Sequence, residues 1–327
     1  MRIKILTSWT VFPRVLNWKG IEFVCDPACR DYDWLVVYDE LPSRHQKELL
    51  ACPPEHTILV TQEPPCIKIY SRVYTRQFQY VLTTHDRAIL PHRHYRRGQG
   101  CIVWLNHRSV EENCACLDFP KDKTISAICT RKKFRYTTHY KRYKLLRYLE
   151  EHLPELAWYG WGFNSLPRKH DALDTYKYSL CVENHIQAHH WTEKFSDALL
   201  CGCLPFYAGN PAMEEFFPPE SFIRIPVDNP PEALRIIRTA IAHNEYERRR
   251  PAIEEARRLI VNRYNLWQQV ADLIAEHRAQ PAGVQEAAPN QGTICSRRSL
   301  RRRPWNLPIY LFDNLRARLY MLLNKQA

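Results

Sequence analysis

Residues Tyr178–Pro211 read YSLCVENHIQAHHWTEKFSDALLCGCLPFYAGNP. The apolar run Tyr178–Val182 has the length and residue types of a buried strand. Thr192 is a good N-cap, and Glu193–Cys201 follows with Phe195, Ala198 and Leu199 at helical spacing. Gly202 supplies the left-handed position that ends a helix, and Leu204–Tyr207 is the next strand. The stretch is therefore a strand–loop–helix–strand unit. Its loop, Glu183–Trp191, lies at the strand's carboxyl end, where open α/β sheets bind ligands. Lys194 is out of place on local grounds, because it stands in the first helical turn, where the helix dipole already presents positive charge. A phosphate-bearing ligand held by the free N–H groups would offset that repulsion. Glu193 beside it suits hydrogen bonds from sugar hydroxyls. A solvated Glu–Lys pair is the competing reading.

Strand-like and helix-like segments alternate through the first 280 residues, which predicts parallel α/β layering. Strands are expected at Ile3–Leu6, Trp34–Tyr38, Thr57–Thr61 and Tyr80–Thr83, with a short helix capped by Ser43 and running to Leu50. The aperiodic polar segment Asn106–Lys123 marks a domain boundary. A second α/β series begins at Ile125–Thr130. It continues through a helix from about Tyr140 to His152, with Leu145, Leu146, Leu149 and Leu153 on one face. A strand in SFIRI (221–225), a helix over Pro231–His243 and further helix to Ala279, interrupted near Pro251, complete it. From Gln280 the composition turns linker-like, then basic (SRRSLRRR, 296–303). An apolar stripe of Phe312, Leu315, Leu319 and Leu322 follows, with Arg316, Arg318 and Lys325 elsewhere. The expected division is an N-terminal domain, 1–118, a second domain, 119–279, and a basic amphipathic tail, 280–327.

The chain has 327 residues, a 45% hydrophobic fraction and a formal net charge of +12. That length accommodates two ordinary domains, and the apolar fraction a sizeable core. The charge points to an anionic partner: a nucleotide, a nucleic acid or a membrane surface. MRIKIL is not followed by the apolar segment of a secretory signal, and no run approaches the roughly 20 apolar residues needed to span a bilayer. A cytoplasmic setting is expected, with the twelve cysteines reduced and packing as small hydrophobes. The pairs Cys25/Cys29, Cys114/Cys116 and Cys201/Cys203 do not repeat as a structural zinc motif. His185 and His189 are four apart without a carboxylate or thiol to complete a set, and the DYD of 31–33 merely precedes a strand. No metal site is expected.

Three elements in fixed order carry more information. They are Y-K-Y-S-L-x-V-E-N (176–184), W-T-E-K-F-x-D-A-L-x-x-G-x-L-P-F-Y-x-G-x-P (191–211) and F-x-P-x-S-F-I (217–223). Together they resemble the donor-binding region of glycosyltransferase family 10, the α-1,3/4-fucosyltransferases, most of all the bacterial members. The resemblance covers Ile125–Ile225 well and Trp34–Leu105 more loosely; the tail lies outside it. It implies an α/β GT-B architecture, two Rossmann-like domains facing a cleft. It also implies a GDP-sugar donor, most often GDP-fucose, inversion at the anomeric carbon, and no required cofactor. By the same resemblance the donor contacts are Glu183 and Asn184 of V-E-N, the Glu193–Lys194 pair, and Arg142 in HYKRYKLL. An arginine's planar fork suits a diphosphate. The family pattern has tyrosine where His190 stands, so an aromatic ring is kept at that donor-side position.

An inverting transferase needs a base for the acceptor hydroxyl. Glu63, in VTQEPP at the end of the Thr57–Thr61 strand, resembles the segment carrying the family's base. Asp39 and Glu40, at another strand end, are the competing candidates. The acceptor expected by family habit is a surface glycan such as lipopolysaccharide. The basic tail suggests an anionic membrane surface as a further partner, with the enzyme peripheral on its inner face. The same fold using another sugar nucleotide is the alternative reading. A basic nucleic-acid-binding protein, drawing on RKKFRYTTHYKRYK (131–144), is the alternative of another class; nucleic acid is not the expected partner.

Overall fold

A computed structural model describes residues 1–98, 103–115, 119–131, 138–279 and 292–323. The chain divides into two compact units, Met1–Cys101 with Asn265–Ala327, and Ile102–Tyr264. The first begins with β1 (Arg2–Thr7), β2 (Val15–Trp18), β3 (Ile21–Val24), β4 (Trp34–Tyr38), β5 (Lys47–Leu49), β6 (Thr57–Val60), the short helix α1 (Arg72–Thr75), β7 (Tyr80–Thr83) and β8 (Tyr95–Arg97). All but β5 join one sheet, in the order β2-β3-β1-β4-β6-β7-β8. The β2–β3 pair is an antiparallel hairpin, and β1, β4, β6, β7 and β8 run parallel. Every residue of β4, β6 and β7 is buried, as continuous apolar runs require of strands covered on both faces.

The second unit holds α2 (Val110–Cys114), β9 (Lys123–Ile128), α3 (His139–His152), β10 (Leu156–Tyr159), β11 (Tyr176–Val182), α4 (Glu193–Leu200), β12 (Leu204–Ala208), β13 (Ile223–Arg224), α5 (Pro230–Ala242) and α6 (Glu245–Asn262). Its five strands are all parallel, in the order β10-β9-β11-β12-β13. Leu145, Leu146 and Leu149 of α3 and Phe195, Ala198 and Leu199 of α4 are essentially inaccessible to solvent. Each buried leucine or phenylalanine contributes about 1.5–3 kcal/mol relative to exposure. Two α/β units, the first with a mainly parallel sheet and the second with a wholly parallel one, are the components expected of the GT-B class.

The remaining elements, α7 (Leu266–Arg278), β14 (Thr293–Cys295), α8 (Arg297–Arg301) and α9 (Leu307–Leu323), belong to the first unit. Trp267 meets the rings of Phe12 and Phe23, and the Tyr80 hydroxyl is hydrogen-bonded to His277 at 2.8 Å. Ile294, Cys295, Leu300 and Tyr310 share one apolar cluster with Leu6, Leu35, Leu59 and Tyr74.

Four expectations change. The segment from Ser43 to Leu50 is not a helix: β5 pairs antiparallel with β14, some 240 residues away, and turns Glu48 inward. There Glu48 accepts from Lys4 at 2.8 Å, Arg30 at 3.1 Å and Tyr32 at 3.3 Å, and lies 2.7 Å from His45 Nε2. No local pattern carries such a partner set. Next, α6 passes through Pro251, because Tyr246, Ile253, Ala256 and Ile260 bury one face on both sides of it. The break comes instead at Arg263–Tyr264, before Asn265 caps α7 by accepting from the Gln268 N–H at 2.8 Å. The unit boundaries then fall at 101/102 and 264/265 rather than 118 and 279; residue 118 itself lies outside the described residues.

Finally, the tail is part of the first unit rather than an appendage, although 280–291 and Lys325 lie outside the described residues. Asp313, 1% exposed, accepts from Ser71 Oγ at 2.8 Å, Arg72 N at 2.8 Å and Arg72 Nε at 2.7 Å. Arg297 turns inward to Glu40 at 2.7 Å, whereas Arg298, Arg301 and Arg302 are exposed. Since α9 docks through Tyr310, Asp313 and Ala317, the stripe of Phe312, Leu315, Leu319 and Leu322 faces outward, each about half exposed. No described helix is long and apolar enough to cross a membrane.

Removing Asp313 strands a buried hydroxyl and a backbone N–H and leaves Arg72 without its carboxylate. Asp313→Ala is expected to lower stability by roughly 2–4 kcal/mol, measured by urea unfolding. Leu319→Ala, on the outward side, should stay within about 0.5 kcal/mol of the parent. Equal effects of the two would contradict the clasp.

Candidate functional site

In the second sheet the chain goes from β9 outward to β10, then crosses to the other side of β9 to form β11. The strand order reverses between β9 and β11, and that carboxyl edge is the ligand position of an open α/β sheet. Arg142 arrives there on α3, which follows β9. Glu183 and Asn184 leave β11 at the same edge, with Glu183 N bonded to Ala208 O at 2.9 Å.

Glu183 is fully buried and holds the start of α4 to the end of β11. Its Oε1 accepts from Thr192 N at 2.8 Å and its Oε2 from the Thr192 hydroxyl at 2.7 Å. Thr192 Oγ1 in turn caps the helix by accepting from Lys194 N at 3.4 Å. Gly209 follows from the same packing: a Cβ there would lie 2.6 Å from Glu183 Cγ and would also collide with the Tyr207 hydroxyl. Tyr207 accepts from the Asn210 N–H at 2.9 Å, and buried Asn210 accepts from the N–H groups of His189 and Ala212, each at 2.9 Å. The G-N-P turn is therefore built around the Glu183 carboxylate.

Lys194 folds back over its own helix terminus. Its ammonium lies 2.9 Å from Glu193 Oε1, 3.1 Å from Thr192 Oγ1 and 3.8 Å from Glu183 Oε2. Two carboxylates thus compensate the cation. Burial alone would lower the Lys194 pKa, but Glu193 and Glu183 outweigh it and leave it raised. Burial raises Glu183, partly opposed by Lys194. For Glu193 burial is overcome by Lys194 and Lys169, which bring it down to about 2.

Two charged residues escaped the sequence reading. Lys169 donates to Asp197 Oδ2 at 2.7 Å, and Asp197 Oδ1 also accepts from Leu105 N at 3.1 Å. Asp197 is fully buried, and burial pushes its carboxyl up to about 6. The available signal was an aspartate on the inward stripe of α4, one turn after Glu193. Nothing in the sequence marks Lys169, which reaches the site from a separate loop.

Arg142 is 4% exposed. Its Nη1 donates to Asn184 Oδ1 at 2.5 Å and to Val182 O at 3.3 Å, while its buried Nε has no partner among the described residues. A buried guanidinium with an unused donor has capacity for an incoming oxyanion. His190 is also buried, its N–H bonded to Gln187 O at 3.3 Å and its ring edge-on to His185. Arg142, Glu183, Asn184, His190, Glu193 and Lys194 thus all belong to the second unit, around one strand end and one helix start. Among the described residues no group of three or more His, Cys, Asp or Glu is placed to hold a metal, and no cysteine is disulfide-bonded.

Glu63 belongs to the first unit, half-buried, just past β6. Its carbonyl accepts from His85 Nε2 at 2.7 Å. Its competitors are committed elsewhere. Asp39, buried and at φ +66°, is held by Lys68 at 2.8 Å and by the Tyr70 hydroxyl. Glu40 pairs with Arg297 at 2.7 Å and with Lys68 at 3.3 Å.

Residues 120–246 match the profile of glycosyltransferase family 10 (fucosyltransferase), C-terminal part. The matched segment is similar to the C-terminal part of that family. It contains Arg142, Glu183, Asn184, His190, Glu193 and Lys194. A 64-residue stretch is 36% identical to the α-(1,3)-fucosyltransferase FucT of Helicobacter pylori, covering 20% of this chain and 13% of that protein's length. Among solved structures, an α1,3-fucosyltransferase with GDP-fucose aligns over 76% of this chain and 80% of its own, at 15% identity and a TM-score of 0.43. A glycosyltransferase from Rickettsia africae ESF-5 aligns over 76% of each chain, at 11% identity and a TM-score of 0.44.

Because the folded-state pKa of Glu193 lies below its ordinary 4.5, its ionised form contributes stability above about pH 4.5 that is lost as pH falls toward 2. Glu193→Gln is expected to be less stable than the parent at neutral pH, with the gap narrowing as urea midpoints are taken below pH 4.5. A gap that stays constant across that range would mean the two lysines do not hold this carboxylate.

Proposed function

We propose that this chain is a metal-independent, inverting glycosyltransferase that moves L-fucose from GDP-fucose to a hydroxyl of a surface glycan such as lipopolysaccharide. The observation that carries this reading is the coincidence of the family 10 segment with the Arg142–Asn184–Glu183–Lys194 constellation at the switch point of a parallel sheet. In the proposed reaction the acceptor oxygen attacks the anomeric carbon from the face opposite GDP. The bond from that carbon to the diphosphate oxygen breaks, and its electron pair leaves with GDP. Arg142, through its unused Nε, and Lys194 would stabilise the negative charge gathering on the diphosphate. Glu193 would take hydrogen bonds from the ribose, and Glu63 would accept the proton from the acceptor hydroxyl. His85, by holding the Glu63 carbonyl, limits where that side chain can reach.

The test is binding and turnover in parallel. GDP should raise the melting temperature of the whole chain more than UDP, ADP or CMP, with or without EDTA. Lys194→Ala is expected to weaken GDP binding by about 1.5–3 kcal/mol. Glu63→Gln should keep GDP affinity and lose roughly 10²–10⁴-fold in turnover. Stabilisation by another nucleotide would move the donor assignment to a different sugar nucleotide. Binding of nucleic acid with steep salt dependence, and of no nucleotide, would replace the enzyme reading altogether.

The tail supports a peripheral place on the inner face of an anionic membrane, in a cytoplasmic setting. The outward stripe of α9 and the exposed Arg298, Arg301 and Arg302 are the apolar and cationic parts such binding uses. Truncation of the tail is a poor test, since it would also remove Ile294, Leu300 and Tyr310 from the core. The double change Leu315→Asp and Leu319→Asp leaves that core untouched. It is expected to abolish co-sedimentation with anionic liposomes at low salt without lowering the melting temperature. A doubly changed protein that still pellets would refute the membrane role of this helix.

A further inference from the structure

A pocket of about 570 Å³ opens on the first unit, lined among others by Arg72, Arg76, Phe78, His92, Arg93 and His94. It lies in the unit that does not contain the family 10 segment, and none of the residues assigned to the donor lines it. Three arginines and two histidines line it, and no carboxylate is among its lining residues.

The arginines differ in how they are satisfied. Nearby Arg96 and Arg97 have Glu276 at 3.0 Å and Asp86 at 3.6 Å, and Arg72 has Asp313 at 2.7 Å. Arg76 and Arg93 have no carboxylate partner among the described residues, and both are exposed. Burial pushes both histidines below their ordinary value, and Arg93 and Arg96 push His94 down further. The His94 imidazole therefore sits beside the positive charge of Arg93 and Arg96. The remaining lining is mixed: Thr75 and Gln79 are polar, and Phe78, Pro91 and Ile309 of α9 are apolar. A cavity of this size falls within the range of small-molecule sites and exceeds what a bare phosphate fills.

We propose that this pocket binds a phosphate monoester carried on a sugar-sized body, with Arg76 and Arg93 pairing the phosphate and Phe78 and Ile309 packing against the body. Guanidinium groups recognise phosphate through paired, charge-assisted hydrogen bonds, and the two unpaired arginines are free for that geometry. The phosphate ester would come either from a free phosphosugar or from the headgroup of a phospholipid. The second source is open because Arg72 also stacks over Phe312, the first residue of the outward stripe of α9, at 5.3 Å.

The experiment titrates full-length protein with a hexose 1-phosphate at constant ionic strength, using calorimetry. Three forms are compared: the parent, the double variant Arg76→Gln with Arg93→Gln, and Lys194→Ala. Both arginines are exposed, so the double variant should fold as the parent does, checked by its melting temperature. Binding should weaken about 10–100-fold in the double variant and stay unchanged in Lys194→Ala. A parallel arm uses vesicles containing phosphatidic acid. If the double variant loses only vesicle binding, the ester is a lipid headgroup; if it loses only the soluble sugar, the ligand is free. The proposal is overturned if the double variant binds both as the parent does, if the loss appears in Lys194→Ala instead, or if sodium chloride gives the same response as the ester.

Discussion

A carboxylate shut away from water must find donors inside the protein, and Glu183 finds both at one residue, Thr192. That pair of hydrogen bonds ties the end of β11 to the start of α4, and the other features of the second-unit site are arranged around it. The loop between them is pinned at both ends, so Asn184 is presented to Arg142 and His190 is carried inside. Tyr207 on the next strand and Gly209 just beyond it lie close to the same side chain. Breaking one partner of such a buried group leaves the other unsatisfied, which is why the cluster behaves as a unit rather than as separate contacts.

The charge arithmetic of this site answers why a lysine begins a helix. Lys194, Lys169 and Arg142 are set against Glu183, Glu193 and Asp197 within one region. Near-balance lets cations sit beside a helix N-terminus without a bound anion. It also means that an arriving diphosphate would compete with internal carboxylates for the same donors. The unused Arg142 Nε is then the group with least to give up.

The first unit is held by long-range devices. Glu48 collects Lys4, Arg30, His45 and Tyr32 beneath the β5–β14 pair, and Asp313 clasps α9 to α1. Both join residues more than 40 positions apart, Asp313 and Ser71 by 242. The β2–β3 hairpin, closed by the two-residue Lys19–Gly20 turn with both residues at positive φ, and β8 complete the sheet edges. The unit is discontinuous in sequence for the same reason: Trp267 and His277 find ring partners in residues 12–80, so α7 packs there although the chain has just left α6.

Local pattern was enough wherever one element decides its own state. The apolar runs at Trp34–Tyr38 and Tyr178–Val182, the Thr192 cap, the left-handed Gly202 and the leucines of α3 all stand as their residue types require. The six donor-side candidates came from the resemblance to family 10, and they stand around one strand end and one helix start. What local pattern misjudged depended on partners far along the chain: Lys47–Leu49 became a strand through β14, exposed Pro251 was carried by the buried face on both sides of it, and the tail joined the first unit through Asp313. Lys169 and Asp197 entered the site, and the stripe on α9 turned outward rather than in, because side chains distant in sequence compete for the same buried donors and apolar faces. Only the folded chain decides that competition.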